Sequence, residues 1–256
     1  MSAFFAFLKK ELLEACRSGK LTFLLILFFL FGVMNPAIAK LTPWLFEIMS
    51  ESLEESGMMV THVTVDALTS WTQFFKNIPM ALIVFLLMYS GSFTKEYEKG
   101  TLIPILTKGL PRYKVVLSKA LVMVTVWTVG YWLCFAVTYA YNAYFWDNAI
   151  AVHLASAVVN YWIFGLWTVC LSVLFSVLSK SFSAVLLGTG GCVLASYLLQ
   201  QLPKLRTYMP TSLMNSASLL LGAEQPQDYT LSLILTATIS VACVAISIPV
   251  MNKKQL

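Results

Sequence analysis

Six long apolar runs, separated by shorter polar stretches, restrict this chain to the membrane-spanning classes more firmly than any other feature of its sequence. About 20 apolar residues cross the hydrocarbon core of a bilayer. Hydrophobic residues make up 59% of the chain and charged residues 11%, whereas soluble globular chains carry about 25% charged residues. The sequence therefore predicts an all-α integral membrane protein with a single transmembrane domain over residues 1–256. The runs lie at about 21–39, 78–94, 115–145, 151–178, 182–199 and 230–250.

The interiors of these runs contain no Asp, Glu, Lys or Arg. Ion-coupled transporters keep ionisable groups inside the membrane for coupling, so their absence counts against that class. The chain also has no phosphate-binding loop and no hydrolase motif of the GxSxG or HExxH type. Its only histidines are His62 and His153, and its five cysteines imply no disulfide framework. We therefore predict no catalytic, cofactor-binding or metal-binding residue in this chain, and energy supplied by another subunit.

Basic residues mark one side of the predicted membrane domain. Residues 95–119, between the second and third runs, are called the basic loop. Its basic residues are Lys95, Lys99, Lys108, Arg112, Lys114 and Lys119. With six spans, 13 of the 17 basic residues fall on the side of this loop. Because cytoplasmic loops carry an excess of Lys and Arg, both termini and the basic loop are predicted to be cytoplasmic, in a multi-pass protein of the cell membrane. Basic residues placed between spans, and not in one patch, also argue against a nucleic-acid partner.

Residues 2–19 have an amphipathic pattern that predicts an N-terminal helix lying in the membrane interface, in contact with lipids. Its apolar face comprises Phe4, Phe5, Leu8, Leu12 and Ala15. A solvated leader is the alternative. The small residues at 37–39 after the first run also resemble the cleavage site of a signal peptide, but the preceding region is long and contains Glu11 and Glu14.

Two stretches are predicted to lie outside. Residues 40–77 are acidic, and Thr42 and Pro43 indicate the start of a short helix at Trp44. Residues 202–229, called the 202–229 segment, carry few charges, and Thr211 leads a short apolar helix that ends near Gly222. This second helix is expected to dip into the membrane or rest on it, as a re-entrant segment before the last span.

An aromatic stripe follows one face of the third span, at intervals of four residues. It consists of Trp127, Tyr131, Phe135 and Tyr139. The stripe indicates packing within the bundle or, as the alternative, the lining of a translocation path. In the fifth span, Gly188, Gly190 and Gly191 lack the Lys and Ser or Thr of a phosphate loop. These glycines therefore predict close helix packing.

The basic loop has a helical pattern of its own. Glu96 and Glu98 belong to a helical lead-in, Gly100 allows a break, and Thr101 can cap a short apolar helix over residues 102–106. Arg112 and Lys119 follow. This pattern resembles the cytoplasmic loop between the second and third spans of the type-2 ATP-binding-cassette (ABC) transporter permeases.

The resemblance covers nearly the whole chain: an interfacial N-terminal helix, six spans, this loop, and a re-entrant segment before the last span. One difference lies just before Arg112. The family commonly has a proline three residues before the arginine and a serine directly before it, whereas this chain has Gly109 and Pro111.

The resemblance implies the permease subunit of an ABC exporter. In that family the loop forms a coupling helix that sits in a groove of a cytoplasmic ATPase, and two permease units enclose the path. It implies an ATP-binding partner in two copies, which would hold ATP and Mg, and a homodimer of this chain. The implied coupling residues are Glu96, Glu98, Gly100, Thr101, Leu102, Ile105, Leu106 and Arg112. Uncharged, aromatic-rich spans favour an amphipathic or apolar cargo, such as an antimicrobial peptide or a lipid-like molecule.

Two other functions stay open on the sequence alone. A membrane scaffold or immunity protein would sequester a ligand without transporting it. An intramembrane enzyme would form product without any partner, although the sequence offers no group for such chemistry.

Overall fold

The computed structural model describes residues 3–54, 65–107 and 109–254. Within these ranges the chain is all-helical, with short 3-10 turns and no β-strand. The α-helices are α1 (Ala3–Arg17), α2 (Lys20–Glu54), α3 (Ala67–Tyr89), α4 (Gly91–Glu98), α5 (Ile103–Thr107), α6 (Arg112–Phe145), α7 (Leu154–Leu178), α8 (Phe182–Gln200), α9 (Ser216–Leu220) and α10 (Thr230–Lys253). Six helical stretches are long and apolar enough to cross a membrane, which confirms the predicted fold class and number of spans. They are Lys20–Trp44, Ala67–Glu98, Arg112–Phe145, Leu154–Leu178, Phe182–Gln200 and Pro226–Lys253.

The second span begins about three turns before the predicted start at residue 78. Asp66 precedes α3, and its Oδ1 accepts hydrogen bonds from the backbone N–H of Thr69 at 2.9 Å and from the Thr69 hydroxyl at 3.1 Å. An aspartate in this position satisfies amides that have no partner within the first turn of a helix. The first turns of α3 are polar, so hydropathy alone places the start of the span too late.

The prediction of a separate short helix from Trp44 is wrong. α2 continues without interruption from Lys20 to Glu54, with Pro43 in its interior. The Thr42 hydroxyl donates to the carbonyl of Ile38 at 2.8 Å, which is a bond of the helix interior and not a cap. The predicted acidic loop is therefore helical in its first part and again from Ala67 onward. Residues 55–64, between these parts, lie outside the described residues.

The helices pack around α7, the most buried of the six spans. Two glycines allow close approach of neighbouring helices, because an added Cβ would collide with an aromatic ring. Gly130 of α6 faces Phe28 of α2, and Gly165 of α7 faces Trp127 of α6. Apolar contacts of this kind are a main source of helix association in membranes. They bring α2, α6 and α7 together along the middle of the bundle.

Polar side chains join α2, α3 and α6. Asn77 donates to Oδ1 of Asn35 at 2.9 Å, and Asn35 donates to the hydroxyl of Thr138 at 3.2 Å. The Thr138 hydroxyl in turn donates to the carbonyl of Gly32 at 3.0 Å. Polar groups inside a membrane need partners within the protein. These bonds hold the three helices together as one unit.

The 202–229 segment folds into the end of the bundle opposite the basic loop. The predicted helix is present in two parts, a 3-10 turn over Pro210–Met214 and α9, with Gly222 after them in the left-handed region at a φ of 70°. Thr211 shares a hydrogen bond of 3.1 Å with Ser196, which lies four residues before the end of α8. At a rise of 1.5 Å per residue, the segment reaches about 6 Å below that end.

The α8 glycines differ in their surroundings. Gly188 packs against the ring of Phe175 on α7, as predicted, and leaves no room for a Cβ. Gly190 and Gly191 have open space where a Cβ would lie. The exposed side chains of Leu187 and Leu194 lie nearby along the same helix. Within the described chain, α8 is the least buried of the spans.

Candidate functional site

The basic loop folds as a helix, a left-handed turn and a second short helix. α4 ends at Glu98, and Gly100 follows with a φ of 62°. The N–H of Gly100 donates to the carbonyl of Tyr97 at 3.2 Å, and the N–H of Thr101 donates to the carbonyl of Glu96 at 3.2 Å. This pair of bonds is the Schellman arrangement, which favours glycine at the residue directly after the helix cap because that residue has a positive φ. The glycine therefore fixes the direction in which α5 leaves α4.

α5 is a short helix whose described side chains are exposed or half-buried, and a buried leucine precedes it. It covers Ile103–Thr107, one residue later than predicted, and Leu102 directly before it is buried. Ile103 and Thr107 are exposed, and Leu106 is half-buried. The side chain of Ile105, which the sequence places among the coupling residues, lies outside the described residues, as does Lys108. The described part of α5 thus displays Ile103 and Thr107 at the end of the bundle.

A cluster of charged side chains, called the charge cluster, lies beneath this loop. It comprises Lys10, Glu11, Glu14, Glu96 and Lys119. Lys119 Nζ lies 2.8 Å from Oε2 of Glu11 and 3.0 Å from Oε2 of Glu96. Lys10 Nζ lies 2.9 Å from Oε1 of Glu11 and 3.1 Å from Oε1 of Glu96. The cluster therefore ties α1, α4 and α6 to one another.

These ion pairs are important for stability because they are buried. Only 2% of the Lys119 side chain and 7% of the Glu11 side chain are exposed. A buried charge without its partner destabilises a protein by about 3–5 kcal/mol. At the margin of the cluster, burial alone would lower the pKa of Lys10, but hydrogen bonds to Glu14 and Glu11 and the charges of Glu11 and Glu96 raise it above its ordinary value. The hydrogen bond from Lys10 lowers the pKa of the half-exposed Glu14.

Glu96, Glu98 and Arg112 are the charged residues among the implied coupling residues, and they are called the loop signature. Its two acidic residues point in different directions. Glu96 is buried in the charge cluster, whereas Glu98 is exposed. Among the residues that the structure describes, Glu98 forms no ion pair. Glu98 and Ile103 both line a cavity of about 230 Å³ between the loop and the ends of α7 and α10. Glu96 can therefore position the loop from within, while Glu98 stays available to a partner.

Arg112, the basic residue of the signature, binds the end of the last span. Its guanidinium Nη1 donates to the backbone carbonyls of Met251 at 2.9 Å, Asn252 at 3.3 Å and Lys254 at 2.6 Å. Arg112 is the first residue of α6 and follows Pro111, whose extended backbone precedes the helix. The sequence predicts a role for Arg112 at a partner surface, and the structure places it against the chain's own α10.

The charge cluster corrects one expectation from the sequence and shows which side of α1 faces the bundle. Lys119 lies about 10 Å into α6, so the spans are not free of charged residues as predicted. On α1, the line that faces the bundle is Phe7, Glu11 and Ala15. Phe5 and Leu12 of the predicted apolar face are exposed, and contact of that face with lipid stays a prediction. The sequence contains a signal for this contact. Glu11 lies four residues from Phe7 and four from Ala15, and a charge within an apolar line needs a buried partner.

The aromatic stripe of α6 enters the core at one end only. Trp127 and Tyr131 are fully buried, and their polar groups donate to the α7 carbonyls of Trp162 at 3.3 Å and Val158 at 2.7 Å. Phe135 stacks on Trp71 of α3, and Tyr139 is 46% exposed. The inner two residues therefore contact the chain's own helices, and a role of the stripe in lining a path stays a prediction.

Comparisons with known proteins match this chain over nearly its whole length. The family described as ABC-2 family transporter protein matches residues 5–251. The chain is also similar to the uncharacterized transmembrane protein YxlG of Bacillus subtilis (strain 168), with 23% identity over 250 residues, covering 95% of this chain and 93% of that protein. No solved structure matches the chain. These matches confirm the resemblance carried by the basic loop: the chain belongs to the ABC-2 family of transporter proteins and is a multi-pass membrane subunit of that family.

Proposed function

We propose that this chain is the permease subunit of an ABC exporter and that α5 is its coupling helix. One observation carries the proposal: a short helix with exposed Ile103 and Thr107 lies beside the exposed Glu98, on a loop held from within by buried ion pairs. An exposed apolar side chain next to an unpaired carboxylate suits a protein partner, since a few such residues dominate binding energy. The rigid support below allows force at α5 to reach the spans.

The proposed partner is a cytoplasmic ATP-binding subunit, present in two copies, which would supply ATP and Mg. This places the basic loop and both termini in the cytoplasm, in line with the excess of basic residues on that side. Closure of the ATPase pair would move α5, and α4 and α6 would follow because both contact it through the loop. ATP hydrolysis thus lies in the partner, and this chain contributes shape change.

A second copy of this chain is the proposed permease partner. α8 supports a homodimer, because it is the least buried span and leaves Gly190 and Gly191 open. Small residues allow helices from two subunits to approach closely. A homodimer in this arrangement would place two copies of α5 on the same side, one for each ATPase.

The proposed cargo is amphipathic or apolar, with antimicrobial peptides and lipid-like molecules as the two classes. A groove of about 580 Å³ between α6, α7 and α10 supports this choice. Leu117, Trp162 and Ile248 line it, and its accessible surface is apolar. A charged solute would find no partner on these walls.

The test is reconstitution of the full-length chain with the ATP-binding subunit that co-purifies with it, verified by photolabelling with an azido-ATP analogue. The variant carries Glu98→Gln and Ile103→Ser together. Loss of two such contacts is expected to weaken association about tenfold or more, and ATP hydrolysis by the complex should fall accordingly. Lys99→Gln is the matched control, because Lys99 is an exposed residue directly after Glu98.

Equal association and hydrolysis by the double variant and the wild type would overturn α5 as the coupling helix. A scaffold or immunity protein gives a different result. Such a protein would still protect cells from the ligand that it sequesters when the bound ATP-binding subunit carries a substitution that abolishes ATP hydrolysis.

A further inference from the structure

The end of α10 and the residue after it contact the basic loop and the end of α7. Docking of an ATPase at α5 does not by itself require these contacts. These residues, 251–254, are called the C-terminal clasp. α10 is far from the basic loop in sequence and packs mainly against α7. Any movement of α5 must therefore reach α10 through contacts in space.

Arg112 forms the first of these contacts. The last carbonyls of a helix have no partner within the helix, and a cation near them is favourable because the helix C-terminus carries partial negative charge. The three carbonyls bound by Arg112 belong to the last turn of α10 and the residue after it. Arg112, a residue of the basic loop and the first residue of α6, thus holds the end of the sixth span.

Lys254 forms the second contact. Its Nζ donates to the carbonyls of Val177 at 2.6 Å and Ser179 at 2.8 Å, at the end of α7. The same ammonium lies 3.9 Å from the centre of the Tyr97 ring, a distance typical of cation–π attraction. The Tyr97 hydroxyl donates to Sδ of Met251 at 3.3 Å. Tyr97 is the residue between the two signature glutamates, so the clasp touches α4 directly.

We propose that the C-terminal clasp is a positioning element that transmits movement of the basic loop to the sixth span and the 202–229 segment. This inference rests on the proposed function and adds a second route to the one through α6. Tyr97 would pull on Lys254, and Lys254 would pass this movement to the end of α10 and to the end of α7. Arg112 would hold the end of α10 against the start of α6. Arg112, Tyr97 and Lys254 are positioning residues here, since none of them is assigned a contact with cargo.

The first turn of α10 contacts the 202–229 segment, so a movement of α10 would reach the end of the bundle opposite the basic loop. Ser232, in the first turn of α10, accepts a hydrogen bond from Ser212 at 2.9 Å and donates to the carbonyl of Thr207 at 2.7 Å. Ser212 and Thr207 both belong to the 202–229 segment. A shift of α10 along its axis would therefore displace this segment, which fills the end of the bundle.

Hydrogen–deuterium exchange in the reconstituted complex tests the clasp. Exchange is measured with and without Mg-ATP and vanadate, which trap a closed ATPase, for the wild type, Lys254→Met, Lys254→Arg and Lys253→Met.

In the wild type, the trapped state should change exchange both in the basic loop and in the 202–229 segment. Lys254→Met should keep the change in the basic loop and lose at least half of the change in the 202–229 segment. Lys254→Arg, which keeps the charge and the donors, should restore it, and Lys253→Met should behave as wild type because Lys253 is exposed.

The outcomes separate the clasp from the proposed function. If Lys254→Met retains the full response in the 202–229 segment, the clasp is overturned while the permease assignment stands. If Lys254→Met loses the response in both regions, transmission through the clasp is also overturned, because the substitution then acts on ATPase docking or folding. If the wild type shows no response in the basic loop, the proposed function fails and the clasp with it.

Discussion

Lys119 Nζ lies 3.0 Å from Oε2 of Glu96, which joins the third turn of α6 to the helix that leads into α5. Glu96 belongs to the acidic signature of the basic loop, and Lys119 is the last basic residue of the same loop. The two residues therefore close the loop on itself, and Glu11 of α1 completes the contact. A loop closed in this way can move as a unit.

Lys119→Met should strongly destabilise the protein. The substitution leaves the carboxylates of Glu11 and Glu96 buried with Lys10 as their remaining partner, and such a loss costs about 3–5 kcal/mol. We expect a clear fall in the free energy of unfolding, measured by denaturant titration in detergent. Lys99→Met serves as the control, since Lys99 is exposed. Equal stability of the two variants would show that the buried ion pairs contribute nothing.

Gly100→Ala should disturb the direction of α5. A residue with a Cβ costs about 1–2 kcal/mol in the left-handed region that Gly100 occupies at a φ of 62°. The expected result is a modest loss of stability and a larger loss of ATP hydrolysis by the reconstituted complex, because α5 would leave its docking position. Lys99→Ala provides the control, since Lys99 is the exposed residue directly before Gly100 and has a backbone conformation that alanine adopts readily. A Gly100→Ala complex with wild-type hydrolysis would contradict this role of the turn.

The sequence was sufficient for features that depend on local pattern. The apolar runs predict all six spans, and Gly100 followed by an apolar run predicts the short helix of the basic loop. The pairing of Lys119 with Glu11 could not be predicted, because 108 positions separate the two residues. The same applies to Arg112, whose partners lie at the far end of the chain. The start of α3 was missed for another reason, since its polar first turns are helical through Asp66 and not through hydropathy.

Gly165→Ala should destabilise the contact between α6 and α7. An added Cβ would collide with the ring of Trp127, which is fully buried and cannot move aside freely. Overpacking of this kind typically costs about 1–3 kcal/mol. We expect a lower transition temperature in detergent, with Ala155→Leu as a control that adds volume at an exposed position near the start of α7. An unchanged transition for Gly165→Ala would mean that α6 and α7 do not approach as closely as described.

The stability of the protein should depend on pH through Lys254. Burial, and to a smaller extent the charge of Lys180, lowers the pKa of Lys254 from an ordinary value of 10.5 to about 8. Between about pH 8 and pH 10.5, the unfolded chain still binds the proton that the folded chain has released, so the free energy of unfolding should rise with pH. Below this range both states are protonated, and the contribution does not change with pH.

The measurement compares transition temperatures of the wild type and Lys254→Met from about pH 7 to about pH 9.5, where the wild type should gain stability relative to the variant. A difference between the two that stays constant with pH would show that Lys254 is not held in a buried site, and would remove the support that the C-terminal clasp draws from its contact with the end of α7.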